Sequence, residues 1–556
     1  MIRISFVFVI FFIGFAFILQ RLFVIQILNT SQIVPLQKYL RIQRTSSLRG
    51  ELLDRNGKPL VLNRKMYTVY GNINDIKENE KVENVLKKEL QIEESTMSAL
   101  LKQKDWKKIK TGVTEPQRKR IEKYYPQFLN FEDEWSRYYP EGSMSAHLLG
   151  FVGKDSVGEP KGYLGMEGYF DQELRGLPII KEQESDVFGI PLIGGIFNKS
   201  NKQTGVTIYS SIDSTVQRTI ERSLYEDTDK FGAEMGCAIA MEPYSGEILG
   251  MGCVPGFDPR EYYKADSNNF INPLVSAVYE PGSTFKPLIV AMGIEEKKVT
   301  PQTIIHEKGP ELIGDYEVRT WDNTYKGDIS LTLALAKSSN VGMVQVIKKL
   351  SKQTVSHYLD ILGLRSPTGI ELEGEVSSLI KDINEWYPID FATLSFGQGI
   401  AITPIQLIRS FASLTNGGYL VRPTVVRKMT DVQSSKKIPY RITSPRRIFS
   451  EKTAQKMKAM LYKTIENSEA YWPNKLPGYN YCGKTGTAQV ATRGTYDASK
   501  TVASFIGFVP CERPKFLLFV MYKEPKSSPW GSETAAPTFF DIAKSLILYY
   551  NIAPER

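Results

Sequence analysis

The chain has 556 residues, with 70 Lys and Arg against 61 Asp and Glu for a formal net charge of +9, and it is 42% hydrophobic and 24% charged. That is the composition of folded protein with length for two or three domains, and it excludes a collagen-like, disordered or disulfide-dense chain. The lysines are dispersed and accompany no nucleic-acid-binding motif, so the positive balance is assigned to work near anionic lipid and polymer rather than to nucleic acid.

In chain order, Ile4 to Leu19 is an uncharged run dense in Phe, Ile and Val, followed by Arg21 and the apolar stretch Leu22 to Leu28. A snorkelling Arg21 extends the run to a membrane span. No small-residue cleavage site follows, so residues 1–28 are predicted to be an uncleaved signal anchor. Arg3 stands before the run and Arg21, Lys38, Arg41 and Arg44 after it, so charge alone does not fix the orientation, and long domains translocate largely regardless of it.

Arg49-Gly50-Glu51-Leu52-Leu53-Asp54-Arg55-Asn56-Gly57 is a turn-rich start to a mixed α/β region, with charged helical segments expected around Glu78 to Lys123. A stray K-T-G at Lys110, Thr111 and Gly112 falls in this stretch and is predicted to lie on a solvated helix face. Phe188 to Gly205, containing Gly and Asn, is the expected boundary between two halves. Beyond it, Val206 to Asp213 reads as a strand and Ser214 opens a helix carrying Gln217. Gly236 to Met241 and Gly246 to Met251 then form a hairpin. Cys237 and Cys253 fall on its two strands and could pair in an exported protein. Four small buried residues explain Cys237, Cys253, Cys482 and Cys511 equally well, and the absence of C-x-x-C spacing argues against a zinc or redox site.

Three strings then follow in order: Ser283-Thr284-Phe285-Lys286, Ser338-Ser339-Asn340 and Lys484-Thr485-Gly486-Thr487, spaced by about 55 and 145 residues. A serine followed by lysine at the third place is weak alone, since about two such pairs are expected by chance. Ser378 with Lys381 and Ser434 with Lys437 are such pairs. Pro281-Gly282 precedes Ser283 and the apolar run Leu288 to Met292 follows, which places the serine at a helix N-terminus. Lys484 lies in a short alternating run from Tyr481 to Val490, predicted to be a strand whose edge faces a groove. A polar loop is expected from Thr492 to Lys500, then strands at Thr501 to Pro510 and Lys515 to Tyr522, and a last helix near Pro537 to Tyr550.

A serine hydroxyl needs a base, and one helical turn puts Lys286 on the same face as Ser283. A free lysine titrates near ~10.4, so keeping it neutral at pH ~7.4 demands a fall of about three pH units, worth roughly 4 kcal/mol. Burial and a second cation, Lys484, can supply that. Ser338 can relay a proton and Asn340 can orient the lysine and hold a substrate amide. Backbone N–H groups of Ser283 and Thr487 are the natural oxyanion donors. Thr485 and Thr487 beside Lys484 suit a terminal carboxylate, and Gly486 leaves room for a substrate backbone. The three histidines, His147, His306 and His357, have no nucleophile elbow to serve, so a Ser-His-Asp hydrolase fails on inventory.

S-x-x-K, S-D-N and K-T-G occur together in class A β-lactamases and penicillin-binding proteins. With Arg49-Gly50, Asp54-Arg55-Asn56-Gly57, Tyr139-Pro140, His147-Leu148-Leu149-Gly150, Gly165-Met166-Glu167-Gly168 and Ser395-Phe396-Gly397-Gln398-Gly399, they make nearly the whole chain resemble a class B penicillin-binding protein. The last string, with Thr403-Pro404-Ile405-Gln406-Leu407 and Ser338-Ser339-Asn340-Val341-Gly342-Met343, is most similar to the division branch. The resemblance implies an α+β multidomain chain: an anchor at 1–28, a mixed α/β pedestal of the dimerisation type at 29–200, and a transpeptidase domain at 205–556. The last would have a five-stranded antiparallel sheet flanked by helices and an all-helical subdomain.

It further implies acylation of Ser283 by peptidoglycan stem peptides ending in D-Ala-D-Ala, inhibition by β-lactams, and no metal or organic cofactor. The site would face outward from the bacterial cytoplasmic membrane, beside a polytopic glycan polymerase of the division or elongation machinery. Alternatives are an elongation-type transpeptidase, a D,D-carboxypeptidase, or a non-catalytic β-lactam sensor or scaffold. A class D β-lactamase shares S-T-F-K but carries S-x-V where Asn340 stands, and has no use for about 170 pedestal residues.

Overall fold

The structure is a computed structural model that describes residues 2–28, 40–45, 48–123, 129–176, 179–185, 191–198, 205–431, 436–440, 443–468, 470, 472–492 and 495–555. Contacts divide it into two compact units, one of Met1–Leu48 with Arg175–Gly205 and one of Arg49–Leu174 with Val206–Arg556. In the first, Ile2–Phe23 is an α-helix with Arg21 in its last turn. Its segment Ser5–Phe23 is long and apolar enough to cross a membrane and none of it is buried. The same unit holds a three-stranded antiparallel sheet of Leu40–Thr45, Ile179–Ser185 and Pro191–Asn198. The expected boundary at Phe188 to Gly205 therefore contains a paired strand, while its residues 188–190 and 199–204 lie outside the described residues.

In the second unit one sheet draws strands from widely separated parts of the chain. Its order is Lys437–Ile438, Val426–Asp431, Val206–Ser210, Leu52–Leu53, Pro59–Asn72 and Trp106–Val113, with Leu129–Tyr138 also paired to Pro59–Asn72. Ile208 runs parallel to Leu52, so residues 49–174 share backbone hydrogen bonds with the chain that follows 205. The turn before Pro59 is held by Asp54, whose Oδ1 accepts from the N–H groups of Asn56 and Lys58 at 2.8 Å and whose Oδ2 accepts from Ser214 Oγ at 2.7 Å. Arg49 Nε donates to Glu167 Oε2 and its Nη1 to Asp171 Oδ1, both at 2.7 Å, while Arg137 Nε donates to Glu167 Oε1 at 2.8 Å. Glu167 is fully buried, and a buried carboxylate is tolerated only with such partners.

The stretch around Lys110 differs from expectation. Trp106–Val113 is a strand, between the helices Glu94–Leu101 and Glu115–Glu122. Trp106, Ile109 and Val113 stand three and four residues apart, a helical spacing, but β-branched Ile109, Thr111 and Val113 and the pairing with Pro59–Asn72 outweigh it.

The second sheet of this unit is five-stranded and antiparallel throughout, in the order Ile248–Val254, Met235–Met241, Phe516–Lys523, Thr495–Val509, Cys482–Thr492. Alternation along each strand gives it two apolar faces. Ala238, Ala240, Leu518 and Val520 pack with Val216, Ile220 and Leu224 of the helix Ser214–Phe231 and with Phe539, Phe540 and Ala543 of the helix Ala535–Tyr549. Ile239, Met241, Ile506, Phe508 and Phe519 face the other way, onto the helices Lys286–Glu295, Pro404–Ala412 and Glu451–Glu466. Residues Lys286 to Ile294 are all buried, as a helix apolar on every side must be. Of the expected polar loop at Thr492 to Lys500, Thr492 and residues 495–500 instead continue the two strands of the hairpin, with Ala491 opposite Tyr496 and Thr492 opposite Thr495, and residues 493–494 lie outside the described residues. Cys237 pairs across strands with Cys253, and the two form a disulfide. Cys482 and Cys511 form a second.

Candidate active site

Ser283 sits in a 3-10 turn, Gly282–Thr284, that runs into the helix Lys286–Glu295. The turn is pinned on both sides. Gly282 N–H donates to Gly397 O at 3.0 Å, and a Cβ at Gly397 (φ +75) would stand 2.3 Å from Gly282 O, so only glycine fits there. On the other side lies the Lys484 strand, last in the sheet order. A Cβ at Gly486 would meet Ser504 Oγ at 2.5 Å and Thr284 Cγ2 at 2.8 Å. Gly486 therefore lets the strand approach the serine turn, a role distinct from making room for substrate.

Ser338 links the helices Leu331–Ala336 and Asn340–Ile347 in a left-handed conformation, φ 58, which costs a non-glycine residue roughly 1–2 kcal/mol. Its Oγ donates to Ser283 Oγ at 2.9 Å and accepts from Lys286 Nζ at 3.2 Å and Lys484 Nζ at 3.1 Å. Lys286 Nζ also donates to Ser338 O at 2.5 Å and to Asn340 Oδ1 at 2.7 Å. Asn340 is held in turn by its Nδ2, which donates to Arg319 O at 3.1 Å. Lys484 Nζ reaches Thr485 O at 3.1 Å and Thr485 Oγ1 at 3.4 Å, and Thr487 Oγ1 accepts from Gly531 N–H at 3.3 Å. Side chains from three distant strings thus form one hydrogen-bonded cluster, joined through the Ser338 hydroxyl.

Lys286 is fully buried and Lys484 is 1% exposed. Burial, and then the Lys484 cation, hold the Lys286 amine well below the ordinary lysine range, with Glu307 pulling the other way. Burial lowers Lys484 to about 7. Two amines so placed share their protons, and the favoured state near neutral pH keeps one of them uncharged. Such a cluster can take a proton from Ser283, return one to a leaving group and still present positive charge to an anion.

Two features escape sequence reasoning. Glu307, in Ile304-Ile305-His306-Glu307-Lys308, is buried behind Ser339 and belongs to no recognised string. Trp321, 58% exposed, and Trp530, 38% exposed, meet edge to face with centroids 5.2 Å apart. Trp321 lies two residues from the Arg319 carbonyl that holds Asn340, and Trp530 precedes the Gly531 that binds Thr487, so the indoles bridge the second and third motifs.

The chance matches fall elsewhere. Lys381 Nζ pairs with Asp390 at 3.0 Å, Lys110 Nζ donates to the Leu90 carbonyl, and Ser434 lies outside the described residues. His147 is buried with Nε2 at 3.0 Å from Asn269 O, and His306 Nδ1 pairs with Asp328 at 2.8 Å. Among the described residues no group of three or more His, Cys, Asp or Glu is placed to hold a metal ion.

Comparison with known proteins adds independent support. A family model of the penicillin binding protein transpeptidase domain matches residues 236–544, and one of the penicillin-binding protein dimerisation domain matches residues 44–210. Stage V sporulation protein D of Bacillus subtilis is 30% identical over 517 residues, which cover 91% of this chain and 79% of that protein. Peptidoglycan D,D-transpeptidase FtsI of Escherichia coli K12 is 27% identical over 552 residues, 97% of this chain and 90% of that one. The crystal structure of penicillin binding protein 2X from Streptococcus thermophilus superposes with a TM-score of 0.77 at 23% identity, covering 92% of this chain and 80% of that one. With the transpeptidase model spanning more than half its length and the dimerisation model ahead of it, the chain belongs to the class B penicillin-binding proteins.

Proposed function

We propose that the chain is a peptidoglycan D,D-transpeptidase of septal wall synthesis, acylated on Ser283 and inhibited by β-lactams. The observation that carries this reading is the hydrogen-bonded run from Ser283 Oγ through Ser338 Oγ to the buried amines of Lys286 and Lys484. Neutral Lys286 takes the Ser283 proton, through Ser338, as Oγ attacks the carbonyl between the two terminal D-alanines of a stem peptide. N–H groups of Ser283 and Thr487 hold the developing oxyanion, each such donor being worth ~2.7–4 kcal/mol. The proton returns through Ser338 to the nitrogen of the breaking C–N bond, and D-alanine leaves. An amine of a neighbouring stem then attacks the ester, and Ser283 regains its proton. Lys484, Thr485 and Thr487 would bind the terminal carboxylate along the strand edge beside Gly486, and Asn340 would hold a substrate amide.

The names of the relatives support the substrate, and the division-protein name FtsI supports the septal role. An anchor at 1–28, a pedestal at 29–200 and a catalytic domain at 205–556 suit a single-pass protein of the bacterial cytoplasmic membrane with its catalytic part outside. The apolar helix and two disulfides in an oxidising compartment accord with that placement. The partner would be a polytopic glycan polymerase. The test is to incubate the full chain in detergent with a stem pentapeptide ending in D-Ala-D-Ala and an amine-bearing acceptor stem. Release of D-alanine with a crosslinked product is expected; hydrolysed stem alone identifies a carboxypeptidase, and no D-alanine contradicts the proposal.

A further inference from the structure

We propose that the buried carboxylate of Glu307 is a positioning residue of this site, clamping the Ser338-Ser339-Asn340 turn through the Ser339 hydroxyl and supplying negative charge behind Lys286. The inference rests on the acyl-serine reading above and gives it a residue that none of the three motifs contains. Glu307 ends the strand Ile304–Glu307, opposite Gly327 of the strand Gly327–Ser330, and is 2% exposed. Its Oε1 accepts from Ser339 Oγ and its Oε2 from Lys326 N–H at 3.1 Å. Ser339, equally buried, caps the helix Asn340–Ile347 by accepting from Gly342 N–H at 2.9 Å. The Ser339 hydroxyl thereby donates its proton to Glu307 and accepts from Gly342 N–H at once. It lies between the two residues whose side chains hold Lys286. Ser338 in particular keeps a left-handed backbone that its neighbours must enforce.

The charge argument is separate. The hydroxyl and the backbone amide that donate to Glu307 are both neutral, so its buried charge gains from positive charge nearby. Around it, His306 on its own strand and Lys308, the residue after that strand, are engaged by Asp328, at 2.8 and 3.3 Å. Lys348, at the C-terminal end of the helix that Ser339 caps, pairs with Glu311, and Arg319 with Glu317. Lys326 lends its backbone to Glu307, and its side-chain charge acts on Asp322. Lys337 adjoins Ser338 in the chain. Glu307 acts on the buried Lys286, where its field favours the protonated form. Glu307 thus opposes Lys484: the second cation makes the base available, and the carboxylate restrains it.

The experiment measures the second-order rate of acylation by a fluorescent penicillin against pH, on the full chain in detergent, for the wild type, Glu307→Gln, Glu307→Asp and Ser339→Ala. Glutamine keeps an acceptor for Ser339 but removes the charge, so Lys286 stays neutral to lower pH. The acid limb of the Glu307→Gln profile is expected to move down by about half a pH unit or more, a roughly threefold rise in the limb-to-plateau ratio. Glu307→Asp and Ser339→Ala keep the carboxylate, and are expected to lower the rate at every pH with the acid limb in place. An unmoved limb in a folded Glu307→Gln overturns the charge role. Should that variant show no cooperative melt, undiminished rates in the other two overturn the positioning role. Absence of wild-type acylation at Ser283 would instead refute the acyl-serine reading on which the inference stands.

Discussion

Lys484 offers a sharp physical test, because its burial is a stability cost that depends on pH in a known direction. Its amine falls from an ordinary 10.5 to about 7. At about 1.4 kcal/mol per pH unit, the protonated side chain is disfavoured in the fold by about 5 kcal/mol relative to the unfolded chain. The folded value lies below the unfolded one, so the unfolded chain binds more protons between pH 7 and 10.5, and stability rises across that window. Below about pH 7 the full penalty applies; above about 10.5 none does. Lys484→Met removes the titration and retains most of the volume. It also forfeits the hydrogen bonds to Ser338 Oγ and Thr485 O, a pH-independent loss of about 1–3 kcal/mol.

The advantage of Lys484→Met over wild type should therefore shrink by about 3 kcal/mol between pH 6 and 9. Release of Lys286 from its neighbouring cation acts in the same direction, since Lys286 can then be protonated more cheaply. Calorimetric melting at fixed scan rate reads the effect. For a catalytic domain of roughly 300 residues, about 1.5 °C accompanies each kcal/mol, so the gap in Tm should close by about 4 °C over that range. Parallel Tm curves for the two proteins from pH 6 to 9 would refute the claim that burial holds Lys484 near neutrality.

Ser338→Ala removes the hydroxyl that joins Ser283 to both amines, and penicillin acylation should slow by ~10²–10⁴ with Tm nearly unchanged; a rate within a fewfold of wild type contradicts the relay. Gly486→Ala places a methyl against Thr284 Cγ2 and Ser504 Oγ, so Tm should fall by the equivalent of about 1–3 kcal/mol, and acylation should slow because the serine turn is displaced. Arg49→Ala leaves Glu167 buried with part of its charge compensation gone, and should cost about 3–5 kcal/mol by calorimetry; an unchanged melt would show the pairing to be dispensable.

Individual strands and the helix after Ser283 were legible because their apolar runs announce themselves locally, while their assembly into one five-stranded sheet was expected only from the resemblance to penicillin-binding proteins. The grouping of Ser283, Lys286, Ser338, Asn340 and Lys484 was approachable because each lies in a short string with a chemical rationale. What escaped depends on contacts distant in sequence. Trp106–Val113 carries helical spacing, and only its pairing with Pro59–Asn72 makes it a strand. The segment 495–500 is polar, yet it belongs to a strand whose Thr495, Tyr496 and Asp497 pair with Thr492, Ala491 and Val490. Glu307 stands 21 residues after Lys286 in a segment with no motif, and its importance arises only when the strand Ile304–Glu307 is laid against Ser339. Cys482 and Cys511 are separated by 29 residues and are brought together by the antiparallel pairing of Cys482–Thr492 with Thr495–Val509.

Peptide mapping by mass spectrometry after a fluorescent penicillin reacts with the full chain tests the central claim most directly. The account predicts one stable covalent adduct, on the peptide containing Ser283, absent from Ser283→Ala although that variant melts like the wild type. An adduct that persists in Ser283→Ala, or maps to Ser338 or Ser378, would contradict it, and rapid release of hydrolysed penicillin would replace the transpeptidase by a lactamase.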